Sequence, residues 1–224
     1  MFMSTASSPE RSKSLSNVTA PIVFIVDDDI SVRESLELLI RSQGWQAETF
    51  ESAKKFLDRP RVLIPSCLVL DVSLPGLNGL ELQKRVAVER TEMPIIFITG
   101  HGNVPMSVEA MKAGAVEFLT KPFSKDVLVS AVRSALDRSR TALSENAEMQ
   151  TLVDRYASLT PREREVMTFV ISGLLNKQVG GELGIHENTV KYHRAQAMQK
   201  MKADSLADLV RMAAKLGLTG MPKS

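Results

Sequence analysis

A single cysteine, Cys67, in 224 residues excludes an intramolecular disulfide framework and leaves no cysteine cluster for zinc. The three histidines, His101, His186 and His193, are too scattered to supply a zinc site themselves. No apolar run approaches the roughly 18 residues that a membrane span needs. Residues 1–17 are rich in serine and lack the apolar centre of about 7–15 residues that a secretory signal carries. Residues 1–20 therefore read as a disordered leader, and the chain is expected in the cytoplasm. A strong net charge is missing too, since 28 Lys and Arg face 26 Asp and Glu. That charge is unevenly divided. Residues 158–224 hold ten basic and six acidic side chains, whereas residues 1–157 hold eighteen and twenty. A mildly acidic front and a basic tail are expected where only the tail meets nucleic acid. With 44% hydrophobic and 24% charged residues the chain is globular in composition, and its length suits two ordinary domains.

The first 140 residues alternate short apolar runs with amphipathic stretches. Ile22–Val26 is a continuous apolar run, the pattern of a strand covered on both faces. The stretch 30–43 has helical spacing through Val32, Leu36, Leu39 and Ile40 and stops at Gly44. Further strands are expected at 45–50, 67–70, 94–98 and 116–119, with helices after each, the last starting near Ser124. Strands alternating with helices predict a doubly wound α/β fold, a five-stranded parallel sheet with right-handed crossovers. Val129, Val132, Leu136, Leu143 and Val153 continue a heptad, but Ser139, Asn146 and Gln150 occupy its intervening positions, so a coiled coil there would be weak. Residues 124–137 read as packed helix and 138–157 as a linker, helical in part. Thr160-Pro-Arg-Glu163 is then a dense helix-start signal, combining a cap, a proline at the first helical position and a capping-box glutamate. Four helices follow in about 60 residues, the second and third joined by a tight link, as in a helix-turn-helix module.

Acidic residues fall at particular places. Asp27, Asp28 and Asp29 follow the first strand, and Asp71 ends the third. In a sheet ordered 2-1-3-4-5 these two strands are neighbours where the winding reverses, and ligands bind beyond their carboxyl ends. Carboxylates gathered there would repel one another unless a divalent cation or an ammonium relieved them. Mg²⁺ suits a site of one or two carboxylates, water and a phosphate oxygen. Lys121, just past the fifth strand, offers an ammonium, and Thr99, at the end of the fourth, a hydroxyl. An aspartate in such company can act as a nucleophile toward a phosphoryl group. Any one aspartate at a strand end often only caps the next helix; four elements converging on one edge argue for chemistry.

Val26-Asp-Asp-Asp29, Leu70-Asp-Val-Ser-Leu-Pro-Gly76, Ile98-Thr-Gly-His-Gly102 and Lys121-Pro-Phe123 together resemble the receiver domain of a two-component response regulator. The stretch 104–115 is similar to the FixJ-type branch in particular. The resemblance covers about 21–137 and implies that Asp71 is the phosphoacceptor. It implies that Asp27 and Asp28 serve Mg²⁺, Asp27 through water, with Asp71 and the Ser73 backbone carbonyl as further ligands. Thr99 and Lys121 would contact the phosphoryl group, and Phe118 stands where the family has its switch aromatic. Asp29 is expected as a neighbour or cap, and His101 as a loop residue without a catalytic role. The Lys121–Pro122 bond, which the family tends to hold cis, is left open.

In the tail, a buried stripe centred on Val190 and continued by Ala197 and Met201 would turn Lys191, Tyr192, Ala195, Gln196 and Gln199 outward. That face has the chemistry to enter a major groove, with Lys177, His193, Arg194, Lys200 and Lys202 around it for phosphates. Leu159-Thr-Pro-Arg-Glu-Arg-Glu-Val166, Gly173-Leu-Leu-Asn-Lys177 and Asn188-Thr-Val-Lys-Tyr-His193 resemble the LuxR-type helix-turn-helix of FixJ- and NarL-type regulators, over 158–218, with 219–224 as a tail. The resemblance implies Lys191, Tyr192 and Ala195 as base readers, with Lys177, Thr189 and His193 near the DNA backbone. Two departures stand out: Gly180-Gly181 inside a short helix, and His186 in place of a Ser or Thr cap.

Together the resemblances imply a transcriptional regulator switched by phosphorylation from a sensor histidine kinase. It would form a homodimer on phosphorylation through the fourth helix and fifth strand, bind promoter DNA and contact RNA polymerase. No P-loop or second catalytic cluster suggests an enzymatic output, and a membrane partner is not expected.

Overall fold

The computed structural model describes residues 20–100 and 102–218. The expected leader (but for Ala20), His101 and the tail from 219 lie outside the described residues. The chain divides into two units at Arg140/Thr141.

In the first unit, strands β1 (Ile22–Val26), β2 (Gln46–Phe50), β3 (Ser66–Asp71), β4 (Ile95–Thr99) and β5 (Glu117–Thr120) form one parallel sheet in the order 2-1-3-4-5. β1, β3 and β4 are buried along their whole length, the result expected of apolar runs inside a doubly wound sheet. The register sets Val26 beside Leu70 and Asp71 beside Ile98, so both acidic strand ends finish at the same edge. Helices α1 (Ile30–Ser42) and α5 (Lys125–Ala157) cover one face, where Leu36, Ile40, Leu128, Val132 and Leu136 meet Val23, Ile25, Val69 and Ile96. Helices α2 (Ala53–Leu57), α3 (Gly79–Glu89) and α4 (Val104–Lys112) cover the other, on Phe24, Leu68, Leu70 and Phe97. Asn78 opens α3 with a full capping box to Glu81, which fixes where the chain turns after β3. Cys67 is fully buried, and burial pushes its thiol up, which makes it core rather than chemistry.

The stretch expected as a partly helical linker, 138–157, is helical throughout as the remainder of α5. It contains neither glycine nor proline, so nothing in it breaks the helix, and Ser139 and Leu152 are buried at either end of it. Ser139, a polar interruption in the heptad, is fully buried: its Oγ accepts the Ser66 backbone amide at 3.1 Å. The packed part of α5 therefore extends past 137.

In the second unit, α6 (Pro161–Ile171), α7 (Asn176–Leu183), α8 (Glu187–Met201) and α9 (Leu206–Lys215) share a core of Val166, Met167, Val170, Val179, Val190 and Leu209, joined by Leu152 from α5. Val190, Ala197 and Met201 are the buried residues of α8, as the stripe required. The two glycines of α7 differ. A Cβ on Gly180 would lie 2.8 Å from the Ile185 carbonyl, whereas one on Gly181 would meet nothing.

Glycine tolerance should separate the two kinds of site. At Gly79 a Cβ would lie 2.6 Å from the Asp71 carbonyl and 2.9 Å from Val72 Cα, so Gly79→Ala should destabilise the first unit by about 1–3 kcal/mol. Gly181→Ala should stabilise the second by roughly 0.5–1 kcal/mol. Calorimetric unfolding of the full chain checks both signs.

Candidate functional site

Asp27, Asp28 and Asp71 stand at the carboxyl edge of β1 and β3, where a carboxylate oxygen of each lies within 4.8 Å of the others. Asp27 is fully buried, Asp71 is 7% exposed and Asp28 faces solvent. Lys121, one residue beyond β5, reaches across with Nζ 2.8 Å from Asp27 Oδ2 and 3.5 Å from Asp71 Oδ2. Its backbone amide donates to the Thr99 carbonyl at 2.7 Å, so the β4–β5 ladder sets where the ammonium starts. The remaining oxygens accept backbone amides: Asp29 N on Asp27 Oδ1 at 2.9 Å, and Ser73 N on Asp71 Oδ1 at 3.2 Å. Asp29 is the N-cap of α1, accepting Ser31 N at 2.8 Å, which accounts for the third aspartate.

Burial pushes the Asp27 carboxyl above the usual carboxylate range, against the pull of the Lys121 hydrogen bond and the Asp29 amide. Burial acts against the charge on Lys121 as well, but the hydrogen bond and charge of Asp27, with the charge of Asp71, outweigh it and leave that ammonium harder to deprotonate. Thr99 is fully buried at the end of β4, beside Thr120 in the register. Phe118 is half-buried on β5, its ring centroid 6.1 Å from that of Phe97. A Cβ on Gly102 would press on Phe118, Thr99 and Thr120 at 2.9–3.0 Å, so the loop after β4 lies directly against both residues. The Lys121–Pro122 bond is cis.

All-oxygen donors, two of them buried or nearly so, fit a hard divalent cation of the Mg²⁺ kind rather than a soft metal.

In the second unit, Lys191, Tyr192 and Ala195 are exposed on α8, Tyr192 at 61%. Lys177 and Thr189 are exposed as well. Among the described residues Lys191 pairs only with Glu187 one turn earlier, at 3.0 Å in open solvent. His193 is half-buried, with its Nδ1 buried and unpartnered among the described residues and its ring against Tyr192. Two cations expected near phosphates are engaged elsewhere. Lys200 Nζ lies 2.7 and 3.0 Å from the two oxygens of Glu163, and Arg194 donates to Asn176 Oδ1 at 3.1 Å. Glu163 also completes the Thr160 capping box of α6, so a single carboxylate both starts α6 and holds α8. Nothing in the spacing marked that pairing, because Glu163 and Lys200 are 37 residues apart. His186 does cap α8: its Nδ1 accepts Asn188 N at 3.2 Å. Leu175 gives α7 no side-chain cap.

Sheet order and acidic edge together define a receiver domain, and the second unit is a helix-turn-helix module. The response regulator receiver domain profile matches residues 23–133, and the profile of bacterial regulatory proteins of the LuxR family matches residues 157–213. The chain is 49% identical to nodulation protein W of Bradyrhizobium diazoefficiens over 90% of its own length and 88% of that protein's. It is 44% identical to the transcriptional regulatory protein FixJ of the same organism, covering 88% of this chain and 96% of FixJ. With the response regulator protein TodT of Pseudomonas putida the identity is 45%, over 88% and 87% of the two chains. Among solved structures, the response regulator StyR superposes with a TM-score of 0.79 at 47% identity, over 88% of this chain and 99% of that one. Full-length FixJ from B. japonicum gives 0.53 at 43%, over 88% and 98%. The chain belongs to the two-component response regulators that join a receiver domain to a LuxR-type DNA-binding domain, and so to the regulators of transcription that answer a kinase. No helix among the described residues is long and apolar enough to cross a membrane.

Breaking the Glu163–Lys200 pair provides a stability test. The Lys200 hydrogen bond and the Thr160 amide hold the Glu163 carboxyl below its ordinary range, although burial opposes them. A carboxylate lowered in this way stabilises the fold above its unfolded-state pKa, and that contribution is lost as pH falls through the folded-state value. Lys200→Met should cost about 1–3 kcal/mol at pH 7, because a carboxylate only 5% exposed loses its cation. The gap between variant and wild type should close on acidification, as calorimetry at pH 7 and pH 4 would show.

Proposed function

We propose that Asp71 is the phosphoacceptor and that its phosphorylation, by a sensor histidine kinase, switches the affinity of the second unit for promoter DNA. The observation that carries this reading is the uneven sharing of Lys121. The ammonium sits closer to Asp27 than to Asp71. Asp27 is thereby held in place, while the Asp71 carboxylate, farther from the ammonium and slightly more exposed, is available as a nucleophile. An Asp71 oxygen attacks the phosphorus of a phosphohistidine donor, the P–N bond breaks, and the departing imidazole takes up a proton. Asp28, Asp71 and the Ser73 carbonyl, with Asp27 through water, would hold Mg²⁺. When bound, that ion neutralises charge on the phosphoryl oxygens. Lys121 contributes the second positive charge, and the Thr99 hydroxyl hydrogen-bonds the phosphoryl group once it is attached.

Thr99 and Phe118 share the Gly102 contact, so a pull on Thr99 is felt at Phe118 and along α4. Helix α4 leaves Val104, Val108 and Met111 exposed, an apolar strip suited to pairing with a second copy. Pairing brings two reading helices to a roughly two-fold site. Lys191, Tyr192 and Ala195 read bases, and Lys177, Thr189 and His193 lie along the backbone. The dimer contacts RNA polymerase, and the protein works in the cytoplasm.

Asp71→Asn should reduce labelling by acetyl phosphate in Mg²⁺ to background, since an amide is not a nucleophile; undiminished labelling assigns the acceptor elsewhere. Thr99→Ala should still be labelled, but its response in DNA binding should shrink. Losing one hydrogen bond to a charged group, about 1.5–3 kcal/mol, lowers a minor active fraction roughly ten- to a hundred-fold.

Lys191→Ala tests the other unit. Labelling should stay normal while operator affinity falls by about 1–3 kcal/mol and discrimination among sites weakens. Titrations against salt separate loss of a base contact from loss of a phosphate contact, because only the latter lowers the salt slope.

A further inference from the structure

Gln83 is a polar side chain in the wrong place for mere solubility. It is 2% exposed on α3, in the core between Leu82 and Val86. Its Nε2 donates to the Ala110 carbonyl of α4 at 3.0 Å. Its Oε1 is buried and has no hydrogen-bond partner among the described residues. An unmade hydrogen bond on a buried acceptor is costly, and an apolar side chain of similar size would avoid it. The Ala110 carbonyl does not need Gln83, because it already accepts the Ala115 amide at 3.1 Å. In this arrangement, then, the amide satisfies half of itself and relieves no orphan on its partner.

Position supplies a reason for keeping it. Helix α3 starts directly from the Asp71 loop: Gly79 N donates to the Val72 carbonyl at 3.0 Å, and a Cβ on Gly79 would press on Asp71 O, Val72 Cα and Phe97. Gln83 is one turn further along. Helix α4 starts from the loop that follows Thr99, capped by Asn103. The amide thus joins the helices that leave the two loops bearing Asp71 and Thr99. On the outer surface Lys84 and Glu109 approach to 3.7 Å, too exposed to fix the pairing.

We propose that Gln83 is a latch: its hydrogen bond to Ala110 holds α4 in the arrangement described here, and release of that bond accompanies the phosphorylated arrangement. The latch is a positioning residue and touches neither phosphoryl group nor metal. It rests on the reading of Asp71 and Thr99 given above. Whatever favours one arrangement of α4 must, by linkage, favour the modification that selects it. Removing the latch therefore raises both α4 mobility and phosphoryl acceptance, whereas damage to packing alone raises only the former.

The experiment compares wild type, Gln83→Leu and Gln83→Met as full chains without phosphorylation. Each variant is measured for thermal stability, for hydrogen exchange of the α4 amides and for the initial rate of labelling by acetyl phosphate in Mg²⁺. The expected result is unchanged or higher stability, faster exchange confined to α4, and labelling about two- to tenfold faster, the range of one net hydrogen bond. Equal or slower labelling at equal stability overturns the latch. Loss of stability in both variants overturns it too, since it makes the amide a packing element. Asp71→Asn is carried alongside: labelling that survives in it sinks the acceptor assignment, whereas labelling that is lost in it but not accelerated in the Gln83 variants sinks the latch alone.

Discussion

Like charges forced together at one edge of a sheet are the constraint around which the first unit is built. Carboxylate oxygens of Asp27, Asp28 and Asp71 lie within 4.8 Å of one another, two of the three groups largely out of water. For Asp27, burial above all and the neighbouring Asp71 charge raise the cost of ionisation. The relief comes from the chain itself: the Lys121 ammonium, the Asp29 amide and the Ser73 amide. Lys121 can serve only if β5 ends beside β4 in the register that pairs Thr99 with Thr120. The sheet order is thus more than a scaffold. It brings residues 27, 71 and 121 to one edge although 50 positions separate the last two.

The two faces of that sheet do different work. Helices α1 and α5 close one face with aliphatic side chains and one buried hydroxyl, Ser139 Oγ, which accepts the Ser66 backbone amide. The other face carries the aromatic cluster Phe24, Phe50 and Phe56 at one side and Phe97 with Phe118 at the other. Phe118, like Phe50, is partly exposed, and a Cβ on Gly102 in the loop after β4 would press on its ring. A packed interior moves between discrete arrangements more readily than it deforms. An aromatic ring with room on one side, next to a hydroxyl that can change partners, is where such a second arrangement has the least to displace.

The fold and the acidic edge were legible because both rest on local signals. Continuous apolar runs bounded by turn residues mark buried parallel strands, and aspartates at their carboxyl ends need no long-range knowledge to be noticed. What stayed illegible depends on partners far away in the chain. Ser139 read as a flaw in a heptad because Ser66, which uses its oxygen, is 73 residues earlier. Lys200 read as a phosphate contact because the buried carboxylate that holds it belongs to a capping box 37 residues back. His186 read as a poor cap on average preference, yet an imidazole nitrogen can accept an amide as an oxygen does. The glycine pair of α7 read as one departure inside a short helix, but the two positions differ: a Cβ on Gly180 would meet the Ile185 carbonyl, whereas one on Gly181 would meet nothing.

Sorting the cations of the second unit by what they touch separates structure from recognition. Lys200, Arg194 and Arg162 are half-buried and bonded to Glu163, Asn176 and the Leu183 carbonyl, so their charge is spent on joining helices. Lys191 is exposed and, among the described residues, held only by Glu187 across one turn, an interaction of about 0.3–0.5 kcal/mol. A single good base contact contributes about 1–3 kcal/mol of discrimination. Giving up the helix pair for DNA is therefore favourable by a margin that Lys200 could never match, since its departure would strand a buried carboxylate. The same comparison explains why a basic tail of modest net charge can still bind selectively. On the proposed reading, its specificity lies with the few side chains that the fold leaves uncommitted, while Lys200, Arg194 and Arg162 join the helices.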